Sequence, residues 1–180
     1  MALNIPESLL NLEANCGVFA LWMLFQHHGI EMDITEIIKA CQHDCENGTF
    51  TIALAVALQK FGFDVSFHTD EDAHIDEIER RIYDEARALN IPILPALEFN
   101  EIQSVIEQGQ MVIVSYDTLD DIGNQSLIYS IDDEEICFFD SFDPMAKSLF
   151  EQQRQADGIC RQSITIDDSN LQLIQSSKLN

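Results

Sequence analysis

The segment from Cys16 to Gly29 places the strongest constraint on the fold. The residues that follow Asn15 and Cys16 are apolar almost all round, from Gly17 as far as Phe25. A run of this kind predicts a helix that is buried on all sides, and Gly29 predicts a left-handed residue that ends it. The rest of the chain must therefore supply the layers that pack around this helix.

Cys16 lies at or just before the first turn of the predicted helix. At that place the unpaired backbone N–H groups and the positive end of the helix dipole favour a thiolate, and the same N–H groups can hold a developing oxyanion. Cys16 is therefore a candidate nucleophile. The alternative is a small apolar core residue, which is what most free cysteines are.

The composition favours one globular domain, which we expect to span residues 1–180. The chain is 46% hydrophobic, enough for a sizeable core, and no Pro/Gly/Ser-rich linker divides it. It has 9 basic and 32 acidic residues, a formal net charge of −23. That charge disfavours binding to nucleic acid or to an anionic membrane, so we expect a neutral or basic peptide or protein partner. The oligomeric state stays open.

The start of the chain lacks a basic region followed by an apolar one, and no later apolar run reaches membrane-spanning length. We therefore expect a cytoplasmic protein with its five cysteines reduced. Cys41, His43 and Cys45 have the residue types of a zinc site. On a helix, however, His43 would point away from the two cysteines, and a fourth ligand is not apparent. We expect no metal and no cofactor.

The apolar spacing along the chain predicts an α+β fold with helices first and mostly antiparallel strands later. After the cysteine helix, helices are predicted at 33–41, at 52–58 with Thr49 or Thr51 as the N-cap, and at 72–90, 99–108 and 148–155. Strands are predicted at 63–68, 111–116, 125–131, 136–140 and 160–166. The segment 91–95 contains two prolines, which favours a connector or an edge strand.

Three stretches resemble one known family, the papain-like cysteine peptidases of the bacteriocin-processing, double-glycine-leader type. Residues 15–21 are similar to the nucleophile helix of that family. Residues 48–65 are similar to its glycine-led helix and the strand that follows. Residues 102–116, 123–132 and 136–140 are similar to its helix and three sheet strands. The resemblance implies a papain-like fold in which the cysteine helix packs on a C-terminal antiparallel sheet.

The family order is a Cys on the helix, a His at the start of a strand, and an Asp or Asn at the end of the next strand. The resemblance places Cys16 as the nucleophile and Asp140 as the orienting acid, with Asp143 as the alternative acid. The histidine position falls on Asn124, or on Gln125 or Ser126 if the strand is shifted.

None of these three residues is a histidine, and all five histidines of the chain precede residue 75. The oxyanion glutamine of the family is missing as well, since residues 7–15 contain no Gln. Because the thiolate depends on an imidazole for proton transfer, these departures argue against peptidase activity.

Three functions follow as hypotheses. The first is a degenerate member of the family that binds a peptide or protein in the former substrate cleft. The second is an active cysteine hydrolase, deamidase or acyl-transfer enzyme that uses Cys16 with a non-standard base. The third is an acidic immunity or inhibitor-type protein that binds a basic partner electrostatically, with affinity that falls as salt rises.

Overall fold

The computed structural model describes residues 4–118 and 123–171. Within these ranges the chain forms seven helices and seven strands. The helices are α1 (Glu7–Leu10), α2 (Cys16–His27), α3 (Ile34–Ala40), α4 (Thr51–Lys60), α5 (Glu77–Ala88), α6 (Phe99–Glu107) and α7 (Lys147–Arg154). The strands are β1 (Asp64–Thr69), β2 (Ile93–Pro95), β3 (Met111–Asp117), β4 (Gly123–Ile131), β5 (Glu135–Phe138), β6 (Ser141–Ala146) and β7 (Ser163–Asp167).

The seven strands form one sheet in the order β2-β1-β7-β3-β4-β5-β6. Only β1 and β2 pair in parallel, and the other neighbours are antiparallel. The two edge strands, β2 and β6, contain Pro95 and Pro144. Because proline has no N–H to donate to a ladder, it is tolerated at an edge and blocks further strand pairing there.

The alternation of side chains along the central strands builds two cores, one on each face of the sheet. In β3, Ile113 packs with α2 and α4 in the larger core, whereas Val112 and Val114 belong to a second core with residues of α6 and α7. Strand β4 repeats the pattern, with Leu127 in the first core and Ile128 in the second. The sheet is therefore covered on both sides.

Helix α2 lies inside the larger core, as its sequence predicts. Eight of its twelve residues are buried, and α2 contacts β4, α3 and α4. Gly29 follows the helix with a φ of +66°, the left-handed conformation predicted for it. Among the described residues, no helix is long and apolar enough to cross a membrane.

The predicted α+β class is confirmed, and several boundaries differ from the prediction. Strand β6 and the short helix α1 were not predicted. Helix α5 begins at Glu77 because Asp76 caps it, with the Asp76 side chain accepting from the Glu79 N–H at 2.8 Å. The prediction that Thr49 or Thr51 caps α4 is wrong. The N-cap is Phe50, which makes no side-chain cap bond, and both threonines hydrogen bond elsewhere.

Candidate functional site

A tight turn held by His43 sets the position of Cys16. Ala14 has a φ of +49°, so the chain turns sharply just before the cysteine. The backbone carbonyl of Glu13 lies 3.0 Å from His43 Nε2, and His43 Nδ1 lies 2.9 Å from Thr49 Oγ1. Because a carbonyl can only accept, Nε2 carries a proton and donates it to Glu13. His43 thus joins the turn before Cys16 to the chain that leads into α4.

Cys16 is the first residue of α2, and its thiol is held largely in the protonated form. Burial raises the pKa of the Cys16 thiol, and the nearby carboxylate of Asp140 adds to this effect. Hydrogen bonds from backbone groups of Gln125, Gly17 and Cys16 act in the opposite direction. Those of Gly17 and Cys16 come from the N-terminus of α2, where such an effect is expected. Burial outweighs them, so the site does not stabilise a thiolate.

The side chain that meets the Cys16 sulfur is the amide of Gln125. The thiol donates to Gln125 Oε1 over 3.5 Å. The amide is fixed from its other end, because Nε2 donates to the Thr49 carbonyl at 2.6 Å and to Thr51 Oγ1 at 3.0 Å. Thr51 Oγ1 lies in turn 2.6 Å from the hydroxyl of Ser115. Gln125 is therefore a buried and fully oriented partner of the thiol.

Gly17 leaves the space that this amide occupies. A Cβ added at Gly17 would lie 2.6 Å from Gln125 Oε1, and 3.2 Å from Leu54 Cδ2 and from Thr49 Cβ. Any larger residue would push the amide away from the thiol. The small residue after the cysteine is thus part of the site.

Asn124 and Asp140 belong to a separate chain of hydrogen bonds. Asn124 Nδ2 donates to the Tyr116 hydroxyl at 2.7 Å, which lies 3.0 Å from Ser126 Oγ. Ser126 donates to Asp140 Oδ2 at 2.8 Å. Successive residues of β4 alternate between the faces of the sheet, so residues 124 and 126 share a face and Gln125 projects from the other. The carboxylate therefore ends an Asn–Tyr–Ser relay and orients no imidazole.

The two candidate acids differ in their surroundings. Asp140 is an exposed residue, but its carboxyl group is partly buried against the sheet. The resulting partial burial raises its pKa, while the Ser126 hydroxyl opposes the rise. Asp143 lies exposed on β6. Within the described residues, Asp140 is the one of the two acids that hydrogen bonds to β4, the strand that faces Cys16.

A cavity of about 800 Å³ opens beside the thiol, a volume typical of ligand sites. Its wall near the cysteine contains Asn15, Cys16, Thr49 and Thr51, and the sheet contributes Ser115, Asn124 and Gln125. Further along, the wall is formed by residues of the segment before α5, of α5 itself and of the loop before β7, namely Asp72, Glu79, Gly158, Ile159 and Gln162. Cys16 and Gln125 are thus accessible from a concave surface.

No histidine is found in the cavity wall within the described ranges. His43 is committed to the turn before Cys16, and His68 lies between the Pro95 carbonyl and Thr165. The Cys41, His43 and Cys45 group does not assemble either, because His43 faces Thr49 and Glu13. Among the described residues, no group of His, Cys, Asp and Glu could hold a metal ion.

Sequence reasoning named Gln125 as an alternative to Asn124, but it missed the groups that orient the amide. Thr51 and Ser115 are polar residues at positions where the apolar pattern of α4 and β3 points into the core, and both are buried. Polar residues at such positions require hydrogen-bond partners. Polar residues at core positions were therefore the sequence signal for this site. Pairing Thr51 with Ser115 and Gln125 would have located it.

Two comparisons with known proteins bear on the fold of this chain. Residues 8–82 match the Peptidase C39 family. Among solved structures, the peptidase domain of Streptococcus ComA, described as a bi-functional ABC transporter involved in a quorum sensing pathway, superposes with a TM-score of 0.51. The alignment covers 84% of this chain and 89% of that domain at 13% sequence identity. Comparison with the curated proteins gives no match.

The fold, together with a cysteine at the start of a buried helix packed on an antiparallel sheet, defines a papain-like cysteine peptidase architecture. Within that class, residues 8–82 are similar to the Peptidase C39 family. The predicted resemblance to this family and the predicted fold are therefore confirmed.

Proposed function

We propose that this C39-like domain is a peptide-binding module that lacks peptidase chemistry. The observation that carries the proposal is the identity of the group that meets the Cys16 sulfur. It is the amide of Gln125 at 3.5 Å, fixed by two further hydrogen bonds. An active member of this architecture needs an imidazole at that place.

An amide cannot replace the imidazole in either of its tasks. Its oxygen does not take a proton at neutral pH, and its N–H protons are not acidic enough to be delivered to a leaving amine. It also gives no positive charge to stabilise a thiolate, which is consistent with the raised pKa of Cys16. The thiol therefore serves as a hydrogen-bond donor in the wall of a cavity.

The cavity supports the binding half of the proposal. It combines a volume of about 800 Å³ with a wall that mixes polar residues, such as Cys16, Thr49 and Gln125, with apolar ones such as Ile159. The groove of a papain-like fold lies between the helical layer and the sheet, and Cys16 and Gln125 mark that junction here. A domain of this fold that has the groove but not the catalytic histidine can still bind a peptide.

A combined binding and cleavage assay tests this function. Fluorescent peptides from a randomised library are incubated with the protein, binding is followed by anisotropy, and the peptides are then analysed by mass spectrometry. We expect bound peptides to be recovered uncut, and the Cys16→Ser variant to bind them with unchanged affinity. Cleavage that disappears in Cys16→Ser would refute the proposal.

A second candidate is a cysteine hydrolase or acyl-transfer enzyme with an unusual base, and the accessible position of Cys16 at the start of α2 favours it. Alkylation rates separate the two candidates, because an activated thiolate reacts much faster than an ordinary thiol. The free and exposed Cys45 provides a reference within the same molecule. The binding module requires Cys16 to react no faster than Cys45, and the enzyme requires it to react much faster.

A further inference from the structure

The cavity wall beyond Cys16 contains acidic residues, and no basic residue of the described wall balances their charge. Glu46, Asp72 and Glu79 line the cavity, and the described lining residues include no lysine or arginine. A cavity with walls of one sign concentrates ligands of the opposite sign, because the field lines are focused in the low-dielectric surroundings.

Glu79 is the unusual member of this group, because it is only 7% exposed. The charged residues near it, Asp72 and Asp76, are also acidic. Its hydrogen-bond partner is the uncharged side chain of Gln162. Burial, reinforced by these two carboxylates, raises the pKa of Glu79. A buried carboxyl group in the wall of a cavity, without a cation beside it, is suited to pairing with a cation that a ligand brings.

The nearby arginines are already engaged and do not neutralise Glu79. On α5, Arg81 pairs with Glu77, and Arg80 donates to the Ile75 carbonyl at 3.4 Å. Arg161 makes a two-pronged contact with Asp70 at 2.7 and 2.9 Å and also pairs with Glu98. Among the described residues, none of the ion pairs includes Glu79 or Asp72.

We infer that the ligand of this cavity is a peptide segment with a lysine or arginine side chain that reaches Glu79 and Asp72, while its backbone passes the wall at Cys16 and Gln125. The inference rests on the proposed peptide-binding function and adds the charge class of the ligand. The charge of the whole chain, −23, attracts such a segment before contact is made.

An arrayed set of decapeptides tests the inference, with each position fixed in turn as Lys, Arg, norleucine or Glu. Affinities are measured by fluorescence anisotropy at physiological salt for the wild type, Glu79→Gln and Glu77→Gln. Glu77→Gln is a matched control, because it removes the same charge from the same helix, at a side chain that is 75% exposed.

We expect one position at which Lys or Arg binds about thirtyfold tighter than norleucine, as for a desolvated charge pair. That preference should fall to about threefold or less in Glu79→Gln and persist in Glu77→Gln. Binding without a basic preference, or a preference unchanged in Glu79→Gln, would overturn the inference and leave the peptide-binding function standing. Failure of every peptide to bind the wild type would overturn both.

Discussion

Replacing Gln125 by histidine is the sharpest perturbation that the site allows. The structure puts residue 125 opposite the Cys16 sulfur, with the side-chain oxygen 3.5 Å away. An imidazole at this position can accept the thiol proton and remain beside the thiolate as a cation. We expect the Gln125→His variant to have a lower thiol pKa than the wild type, in which burial raises it.

The size of the effect follows from thiol chemistry. Each unit of decrease in a pKa that lies above the working pH increases the thiolate fraction about tenfold, while the nucleophilicity of the thiolate falls about threefold. The net gain in rate is therefore about threefold per unit. Pairing with a histidine lowers a cysteine pKa by about two units or more. At pH 7, we expect Cys16 in Gln125→His to be alkylated about tenfold faster than in the wild type.

The assay is iodoacetamide alkylation followed by peptide mapping, with the pH varied to obtain the thiol pKa. Asn124→His is the matched control, because Asn124 is the first of the three positions that the family order suggests, yet its amide points to the Tyr116 hydroxyl at 2.7 Å. We expect it to leave the Cys16 rate within about twofold of the wild type. If folded Gln125→His reacts no faster, or if Asn124→His is the faster variant, the assignment of residue 125 to the base position is wrong.

Two further predictions concern stability. Gly17→Ala should lower the free energy of unfolding by about 1–3 kcal/mol in urea titration, because the new Cβ would lie 2.6 Å from Gln125 Oε1; an equal loss in a Gln125→Ala background would show that the amide is not the cause. Burial lowers the pKa of His68, and the charge of Arg154 adds to this, whereas the Pro95 carbonyl and Glu101 oppose it. Protonation of His68 therefore favours the unfolded chain, so the free energy of unfolding should fall as the pH drops below about 6.5. His68→Gln should remove that part of the pH dependence and His74→Gln, at an exposed histidine, should not; identical pH profiles for the wild type and His68→Gln would contradict this.

The sequence predicts the elements that have strong local signals. The unbroken apolar run after Cys16 can only be buried on several sides, and α2 is buried in this way. Gly29 adopts the left-handed conformation for which glycine is favoured, and Asp33 caps α3 through a 2.7 Å bond from the Thr35 N–H. Each of these depends on a few neighbouring residues, so local pattern is sufficient to find it.

Features that depend on distant residues were missed or misjudged. Thr49 and Thr51, at the start of α4, look like N-caps, because Thr is a favoured residue at that position. In the structure, Thr51 binds Ser115 on β3 and Gln125 on β4, residues 64 and 74 positions away. Strand β6 was missed because Ser141–Ala146 contains a proline and has little apolar alternation. It is a strand only because β5 lies beside it.

The identity of the residue facing Cys16 depends on the phase of one strand, and that phase decides the chemistry of the site. Family order alone leaves Asn124, Gln125 and Ser126 open, and a shift of one residue moves every side chain of β4 to the other face of the sheet. The register of β3 with β4, in which Ser115 pairs with Gln125, fixes the phase. With this phase, Gln125 reaches Thr51 of α4, which also bonds Ser115. On the other face, Asn124 bonds Tyr116 and Ser126 bonds Asp140. Restoring an imidazole at one position would therefore supply a base without the acid that should orient it. For this reason we expect Gln125→His to gain thiol reactivity without gaining efficient peptide cleavage.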